Sequence, residues 1–163
     1  MTQNPRHILS IIVDNDFGVL SRVAALFSSR GYNIESLCVA PDADPRASRI
    51  TVVTTGSDHV VDQIGKQLRK LLPVREVYNL TAQPHVDREL ALIKVRSAAR
   101  DKAKLETIAR RYGAQREALS PTLTLLELSA DHTRIEALIA DLAPYTIVEM
   151  ARSGVVSLSR SVA

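Results

Sequence analysis

Apolar and polar positions alternate along this 163-residue chain with two different periods. Short runs rich in β-branched residues are typical of strands, whereas apolar residues three and four positions apart predict amphipathic helices. In the first half these signals follow the order strand, helix, strand, strand, helix, strand. The predicted elements are a strand at 7–15, a helix at 18–30, strands at 33–40 and 48–55, a helix from Ser57 or Asp58 to about 72, and a strand at 74–80.

Each predicted helix of the first half carries one apolar stripe, which indicates a single buried face. Gly31 supplies a C-terminal cap for the first helix, and Pro73 ends the second. The stripe of the first helix consists of Val19, Leu20, Val23, Leu26 and Phe27, and that of the second of Val60, Val61, Ile64, Leu68, Leu71 and Leu72.

The second half repeats the same order of elements without repeating the residues. Its predicted elements are a strand at 89–95, a helix at 101–112, strands at 115–119 and 122–129, a helix at 131–142 and a strand at 145–151. The sequence therefore predicts an α+β protein with two ferredoxin-like βαββαβ domains in tandem. We place the first domain at 1–80, a linker at 81–84 and the second domain at 85–163, whose short polar tail is compatible with disorder until a partner orders it.

Two helices on one face of a four-stranded sheet leave the other sheet face without a covering layer. A second domain or subunit would bury that face, so we expect a homodimer.

Composition narrows the class of protein. Hydrophobic residues at 45% and charged residues at 24% are typical of a soluble globular protein. The net charge of +3, from 21 basic and 18 acidic residues, is dispersed, and with two Phe and four Tyr the chain lacks the stacking aromatics of a nucleic-acid surface. One cysteine excludes an internal disulfide framework, and there is no apolar run of membrane-spanning length and no signal-peptide pattern, so we expect a cytoplasmic protein without a membrane partner.

The loop that precedes the first helix is the strongest candidate for a binding site. Gly18 lies where a helix N-terminus offers unpaired N–H donors to a carboxylate, and the amide oxygens of Asn15 and Asn33 can accept from an ammonium group. In a β-α-β order the two asparagines fall at opposite ends of one sheet, whereas two chains paired antiparallel would bring them together. A plain turn with a helix cap is the local alternative for the Asn15–Gly18 segment.

Catalytic chemistry has little support in the sequence. No close-spaced metal-ligand set, phosphate-binding loop or dinucleotide fingerprint occurs. Residues that can hold a small zwitterion, without a nucleophile beside them, favour a sensor over an enzyme.

The motifs around this loop resemble those of a known family, the regulatory (small) subunit of acetohydroxyacid synthase, also called acetolactate synthase. The resemblance extends over nearly the whole chain and is weakest at 98–120. It is carried by Asn15-x-x-Gly18-Val19-Leu20-Ser21-Arg22-Val23, Arg30-Gly31-Tyr32-Asn33-Ile34-Glu35-Ser36-Leu37, Arg88-Glu89-Leu90-Ala91-Leu92-Ile93-Lys94-Val95 and Ala151-Arg152-Ser153-Gly154-Val155-Val156-Ser157-Leu158-Ser159-Arg160.

This resemblance implies an N-terminal ACT domain and a non-catalytic chain that activates a catalytic large subunit and confers feedback inhibition by valine in branched-chain amino acid biosynthesis. Two ACT domains would pair into a side-by-side sheet with valine at their interface. The matching effector positions are Asn15, Gly18, Val19 and Leu20 of one chain with Asn33 and Ile34 of the other. Thiamine diphosphate, magnesium and FAD would belong to the large subunit, with no cofactor in this chain.

A stand-alone amino-acid-sensing ACT module or transcriptional co-regulator is the alternative. Such a co-regulator would carry a helix-turn-helix or a basic arm, and the sequence shows neither. The preferred branched-chain amino acid, any effect of a nucleotide or cation, and the surface that contacts the large subunit stay undecided at this point.

Overall fold

A computed structural model of the protein describes residues 5–161, except for the side chain of Ala99. The elements are β1 (Arg6–Asp14), α1 (Val19–Ser29), β2 (Ser36–Pro41), β3 (Ala47–Thr55), α2 (Asp58–Leu68), β4 (Val74–Asn79), β5 (His85–Arg96), a 3₁₀ turn (Ala99–Asp101), α3 (Lys102–Tyr112), β6 (Gln115–Ser120), β7 (Leu123–Ala130), α4 (His132–Asp141), β8 (Thr146–Arg152) and β9 (Val156–Ser159). No helix among the described residues has the length and apolar character needed to cross a membrane.

The chain divides into two compact units. The first comprises the residues up to Val86 together with the segment from Val155 onward, and the second comprises Asp87–Gly154. The predicted domain limits at 1–80 and 85–163 stay a prediction. The contacts, for their part, place the C-terminal segment with the first unit.

The first unit is a four-stranded antiparallel sheet in the order β2-β3-β1-β4. Residues alternate between the two faces of a strand, so every second residue of β1 and β3 points toward α1 and α2. Leu9 pairs with Val52 and Ile11 with Ile50 on that face, and all four side chains are almost fully buried. Val19, Val23 and Phe27 of α1 pack against these side chains and complete this core.

Helix α2 begins as predicted, at the N-cap Ser57, but it ends four residues earlier than the apolar stripe suggested. Its last turn tightens, because the N–H of Lys70 donates to the carbonyl of Gln67 and the N–H of Leu71 to that of Leu68. A 3₁₀-type turn has three residues per turn instead of 3.6, so it rotates the following residues off the stripe. Leu72 was therefore wrongly placed in the core, and its side chain is 95% exposed.

The second unit repeats the architecture with an antiparallel sheet in the order β6-β7-β5-β8. Leu105 of α3, together with Ile135 and Leu138 of α4, packs against Ile93 and Leu126 of the sheet, and all five side chains are buried. The predicted α+β arrangement of two βαββαβ units is confirmed.

The described C-terminal residues 155–160 are held by hydrogen bonds and by one buried apolar side chain, which the sequence did not indicate. The hydroxyl of Ser157 donates to the carbonyl of Val86 at 2.9 Å, and the N–H of Arg160 donates to the carbonyl of Pro84 at 2.8 Å. Val155 is fully buried, in a cluster with Ile8, Val53 and Leu80. Ile8 and Val53 are register partners on the sheet face that points away from the helices, so the tail covers part of the face predicted to be open.

Candidate functional site

The N-terminus of α1 is held open by its capping residue. Gly18 has a φ of 76°, in the left-handed region that residues with a side chain rarely adopt. Because glycine has no side chain, no side-chain acceptor of the N-cap residue bonds to the first N–H groups of the helix. Space around it is free, since a Cβ added there would meet no atom within 4 Å. By contrast, the side chain of Ser57 accepts from Val60 in α2 and that of Asp131 accepts from Arg134 in α4. The first N–H groups of α1 are therefore available to an external acceptor.

Asn15 is oriented by the turn between β2 and β3. Its Nδ2 donates to the carbonyl of Pro45 at 3.0 Å, and its backbone N–H donates to the carbonyl of Arg46 at 2.9 Å. This bond fixes the orientation of the amide, and its Oδ1 atom is the acceptor that Asn15 can present to a ligand ammonium.

Ion pairs brace the same turn. Arg75 donates from Nε to Asp14 at 2.7 Å and from Nη2 to the carbonyl of Arg46 at 3.0 Å. The side-chain hydrogen bond from Arg46, together with the backbone bond from the same residue, lowers the pKa of Asp44 to about 2. Asp44 therefore stays ionised and keeps the turn in the conformation that orients Asn15. The sequence analysis did not identify Arg75, Arg46 and Asp44 as residues that support the site. The prolines and aspartates of this turn were the only feature that could have indicated them.

The predicted apolar residues of the loop separate into two roles. Val19 is 5% exposed and packs in the core, so it can offer a ligand only its backbone. Leu20 is 42% exposed and Phe17 is 99% exposed, and these side chains are accessible beside the open helix N-terminus. Leu20 thus lies outside the buried stripe in which the helical pattern placed it.

Asn33 and Ile34 lie in the segment between α1 and β2. The backbone carbonyl of Asn33 accepts a hydrogen bond from the Thr54 hydroxyl at 2.5 Å, while its side chain is on the exposed surface. Ile34 is half-buried against the core of the first unit. The backbone bond fixes the segment and leaves the Asn33 amide free to turn toward a ligand.

The two asparagines are far apart within one chain. Asn15 follows Asp14, the register partner of Ala47 at the start of β3, whereas Asn33 is bonded to Thr54 near the end of β3. The seven steps along the strand from Ala47 to Thr54 span about 24 Å at roughly 3.4 Å per residue. A single first unit therefore does not bring the six predicted site residues together.

Comparison with known proteins agrees with this architecture in both halves. Residues 9–76 match the model of the AHAS small subunit-like ACT domain, and residues 88–161 match that of the small subunit of acetolactate synthase. The chain is 44% identical to the acetolactate synthase isozyme 3 small subunit of Salmonella typhimurium, over 95% of this chain and 96% of that one. It is 42% identical to the acetolactate synthase small subunit of Mycobacterium leprae, over 96% of this chain and 92% of that one.

A solved structure is similar over the full length. The crystal structure of the acetolactate synthase small subunit from Thermotoga maritima superposes with a TM-score of 0.85 at 33% identity, covering 98% of this chain and 99% of that one. Two family models that together span most of the chain, and relatives of more than 40% identity along nearly their whole length, confirm the resemblance seen in the motifs. The chain belongs to the family of acetolactate synthase small subunits, regulatory proteins with an ACT domain.

Proposed function

We propose that this chain activates the catalytic large subunit of acetolactate synthase and makes it sensitive to feedback inhibition by valine, which binds between the first units of two copies. Membership of the small-subunit family implies a large-subunit partner. Activation, the identity of the effector and the homodimer are the parts that we propose.

The observation that carries this proposal is the open N-terminus of α1 at Gly18. Free N–H groups and the positive end of the helix dipole suit a carboxylate, and the open space where a Cβ of residue 18 would lie lets the ligand approach the backbone. The carboxylate of valine would bind here, to the N–H groups at the start of the helix.

A two-fold pairing along β2 supplies the other half of the site. β2 is an edge strand of the first unit, so its outer N–H and C=O groups can pair with a second copy. Asn33 precedes the Ser36 end of β2, and Asn15 is bonded to the turn that follows its Pro41 end. In an antiparallel β2–β2 pair, the Ser36 end of one copy lies beside the Pro41 end of the other. Asn33 of one copy and the Asn15–Gly18 loop of its partner then lie at the same end of the β2–β2 pair.

Each part of valine would meet a matching group in this arrangement. The ammonium would donate to the Oδ1 atoms of Asn15 and Asn33, which are acceptors. The isopropyl group would contact Leu20, which is 42% exposed, and the half-buried Ile34. The two-fold axis gives two equivalent sites for each dimer.

Inhibition follows if valine binds the inhibited arrangement of the complex more tightly than the active one. A typical coupling free energy is about 1–3 kcal/mol, and the catalytic partner must then weaken valine binding by the same factor. Thiamine diphosphate, magnesium and FAD are expected on the large subunit. We expect the complex to act in the cytoplasm.

The test is reconstitution of this chain with the acetolactate synthase large subunit from the same organism. Turnover is measured without and with the chain, and valine, leucine and isoleucine are titrated in turn. We expect the chain to raise turnover, valine to lower it again, and equilibrium sedimentation to show a dimer of this chain. Unchanged turnover on addition of the chain contradicts the proposal; valine binding without any effect on turnover would instead favour a stand-alone sensing module.

A further inference from the structure

A second concave surface lies on the helical side of the first unit, between the end of α1 and the outer face of α2. Its volume is about 560 Å³, and it is lined by Arg30 and Tyr32 after α1 and by residues along α2. His59, Gln63, Lys66 and Lys70 recur at spacings of three and four residues, which places them on one side of that helix. We call this surface the basic groove.

Positive charge is concentrated in the basic groove. Arg30, Lys66, Arg69 and Lys70 line it together with His59, and none of its described lining residues is acidic. Four of the 21 basic residues of the chain thus line one concavity. All four side chains are exposed, so their charges face the open concavity.

Most cations of the basic groove lack a carboxylate partner among the described residues, in contrast to arginines elsewhere in the first unit. Four arginines of this unit have a carboxylate oxygen within 3.0 Å, namely Arg6, Arg46, Arg49 and Arg75. In the basic groove, Lys66 alone forms an ion pair with a described carboxylate, that of Asp62 at 2.7 Å. Arg69 donates from Nη2 to the carbonyl of Val77 at 2.9 Å. Arg30 reaches only the neutral amide of Gln67 at 3.4 Å, and Lys70 makes no side-chain bond to any described residue.

Helix dipoles explain why some of these basic residues occur at these positions. Arg30 is the C-cap of α1 and Arg69 that of α2, and cations near helix C-termini are favourable. That effect acts on each helix separately. It does not require the two helix ends to open into one shared cavity.

We propose that the basic groove binds a phosphate-bearing polyanion, with the phosphate chain held between Arg30 and Lys70. A guanidinium binds phosphate oxygens in a bidentate manner and an ammonium group binds them as a point charge, so the two side chains are complementary partners. The half-buried ring of Tyr32 and the amide of Gln63 offer contacts for a base or sugar attached to that chain.

The basic groove is separate from the open N-terminus of α1. Gly18 and Arg30 cap opposite ends of that helix, which places them about 18 Å apart at 1.5 Å per residue. The proposal does not depend on valine binding, and a valine titration of the same sample tests the two independently.

The test is isothermal titration calorimetry of the full chain with inorganic tripolyphosphate in about 0.1 M salt, at which the electrostatic screening length is about 10 Å. We expect one site per chain, with affinity at least about tenfold lower in Arg30→Gln and in Lys70→Gln. Arg22→Gln is the matched control, because Arg22 is an exposed arginine at the other end of α1. Its affinity should stay within about twofold of the wild type.

A second ligand, ATP, identifies the source of the phosphate. ATP binding more tightly than tripolyphosphate assigns the groove to a nucleotide, and equal affinities assign it to a free phosphate chain; both support the proposal. No tripolyphosphate binding at millimolar concentration overturns it, as does equal weakening by Arg22→Gln, which would show diffuse attraction. Weakened association of Arg30→Gln with the large subunit, without any polyphosphate binding, would overturn it in favour of an acidic protein surface.

Discussion

Asn15 and Asn33 are attached to opposite ends of the same strand. Asn15 donates from Nδ2 to Pro45 just before β3 begins, and the carbonyl of Asn33 accepts from Thr54 at its penultimate residue. Both asparagines are held by bonds that leave an amide oxygen available. A ligand that uses both must therefore bridge two copies, which makes its binding depend on dimerisation.

Gly18→Asp should leave activation of the large subunit intact and abolish valine inhibition. The introduced carboxylate would occupy the anion position at the helix N-terminus and repel the carboxylate of valine. A Cβ at this position meets nothing within 4 Å, so the substitution disturbs no packing. Turnover of the reconstituted complex, measured against valine concentration, checks this.

The control for backbone strain is Gly113→Asp. Gly113 has a φ of 70°, close to the 76° of Gly18, but caps a helix of the second unit. Aspartate tolerates the left-handed region at moderate cost, so strain alone should be similar in both variants. Gly113→Asp should keep full valine inhibition. Full inhibition in Gly18→Asp as well would remove the α1 N-terminus from the site.

Asn33→Ala should weaken valine binding without lowering the stability of the fold. The bond from Thr54 is made to the backbone carbonyl of Asn33, so alanine preserves it, and the amide side chain is exposed. Loss of one hydrogen bond to a charged ammonium group corresponds to about 1.5–3 kcal/mol, or at least tenfold in affinity. Calorimetry with valine measures the change, and an unchanged affinity with an unchanged melting temperature would exclude Asn33.

Hydrophobic periodicity was sufficient for the architecture of each unit, because burial of one helix face and one sheet face dominates the folding free energy. The predicted 18–30 helix is α1, Val19–Ser29, and the strands at 48–55 and 74–80 match β3 and β4 within a residue. Periodicity could not place Leu72, because a tightened helical end depends on local hydrogen bonds that the apolar stripe does not encode.

The C-terminal strand had no usable signal in the sequence. β9 has only four residues, and of its apolar side chains Val156 and Leu158 are at least half exposed, so no alternating burial identifies it beforehand. Its place is decided by one buried side chain, Val155, and by bonds to carbonyls about seventy residues earlier. Likewise, Asn15 and Asn33 could be named from local chemistry, but their bonds to Pro45 and Thr54 arise only in the folded sheet.

Arg152→Ala should destabilise the second unit by about 3 kcal/mol, as for breaking a buried ion pair. The guanidinium binds both oxygens of Glu89 at 2.8 Å, and Glu89 is 4% exposed, so its carboxylate was desolvated on folding. This pairing raises the pKa of Arg152 above its usual range. Chemical denaturation followed by circular dichroism measures the loss.

The matched control is Arg111→Ala. Arg111 binds Asp141 at 2.7 Å, but both side chains are substantially exposed, and such pairs contribute less than about 1 kcal/mol. Equal losses in the two variants would show that burial of Glu89 does not set the strength of the Arg152 pair.

Val155→Ala should destabilise the first unit by about 1–3 kcal/mol, through lost burial of two methyl groups and a residual cavity. Val155 is fully buried among Ile8, Val53 and Leu80, whereas its neighbour Val156 is 50% exposed. Val156→Ala, the same chemical change one residue later, should cost no more than about 0.5 kcal/mol. The effect can be located by amide hydrogen exchange at Leu80, whose N–H donates to the carbonyl of Ile8 under this cluster. Faster exchange at Leu80 in Val155→Ala alone is the expected result, and equal exchange in both variants would mean that the tail does not stabilise the first unit.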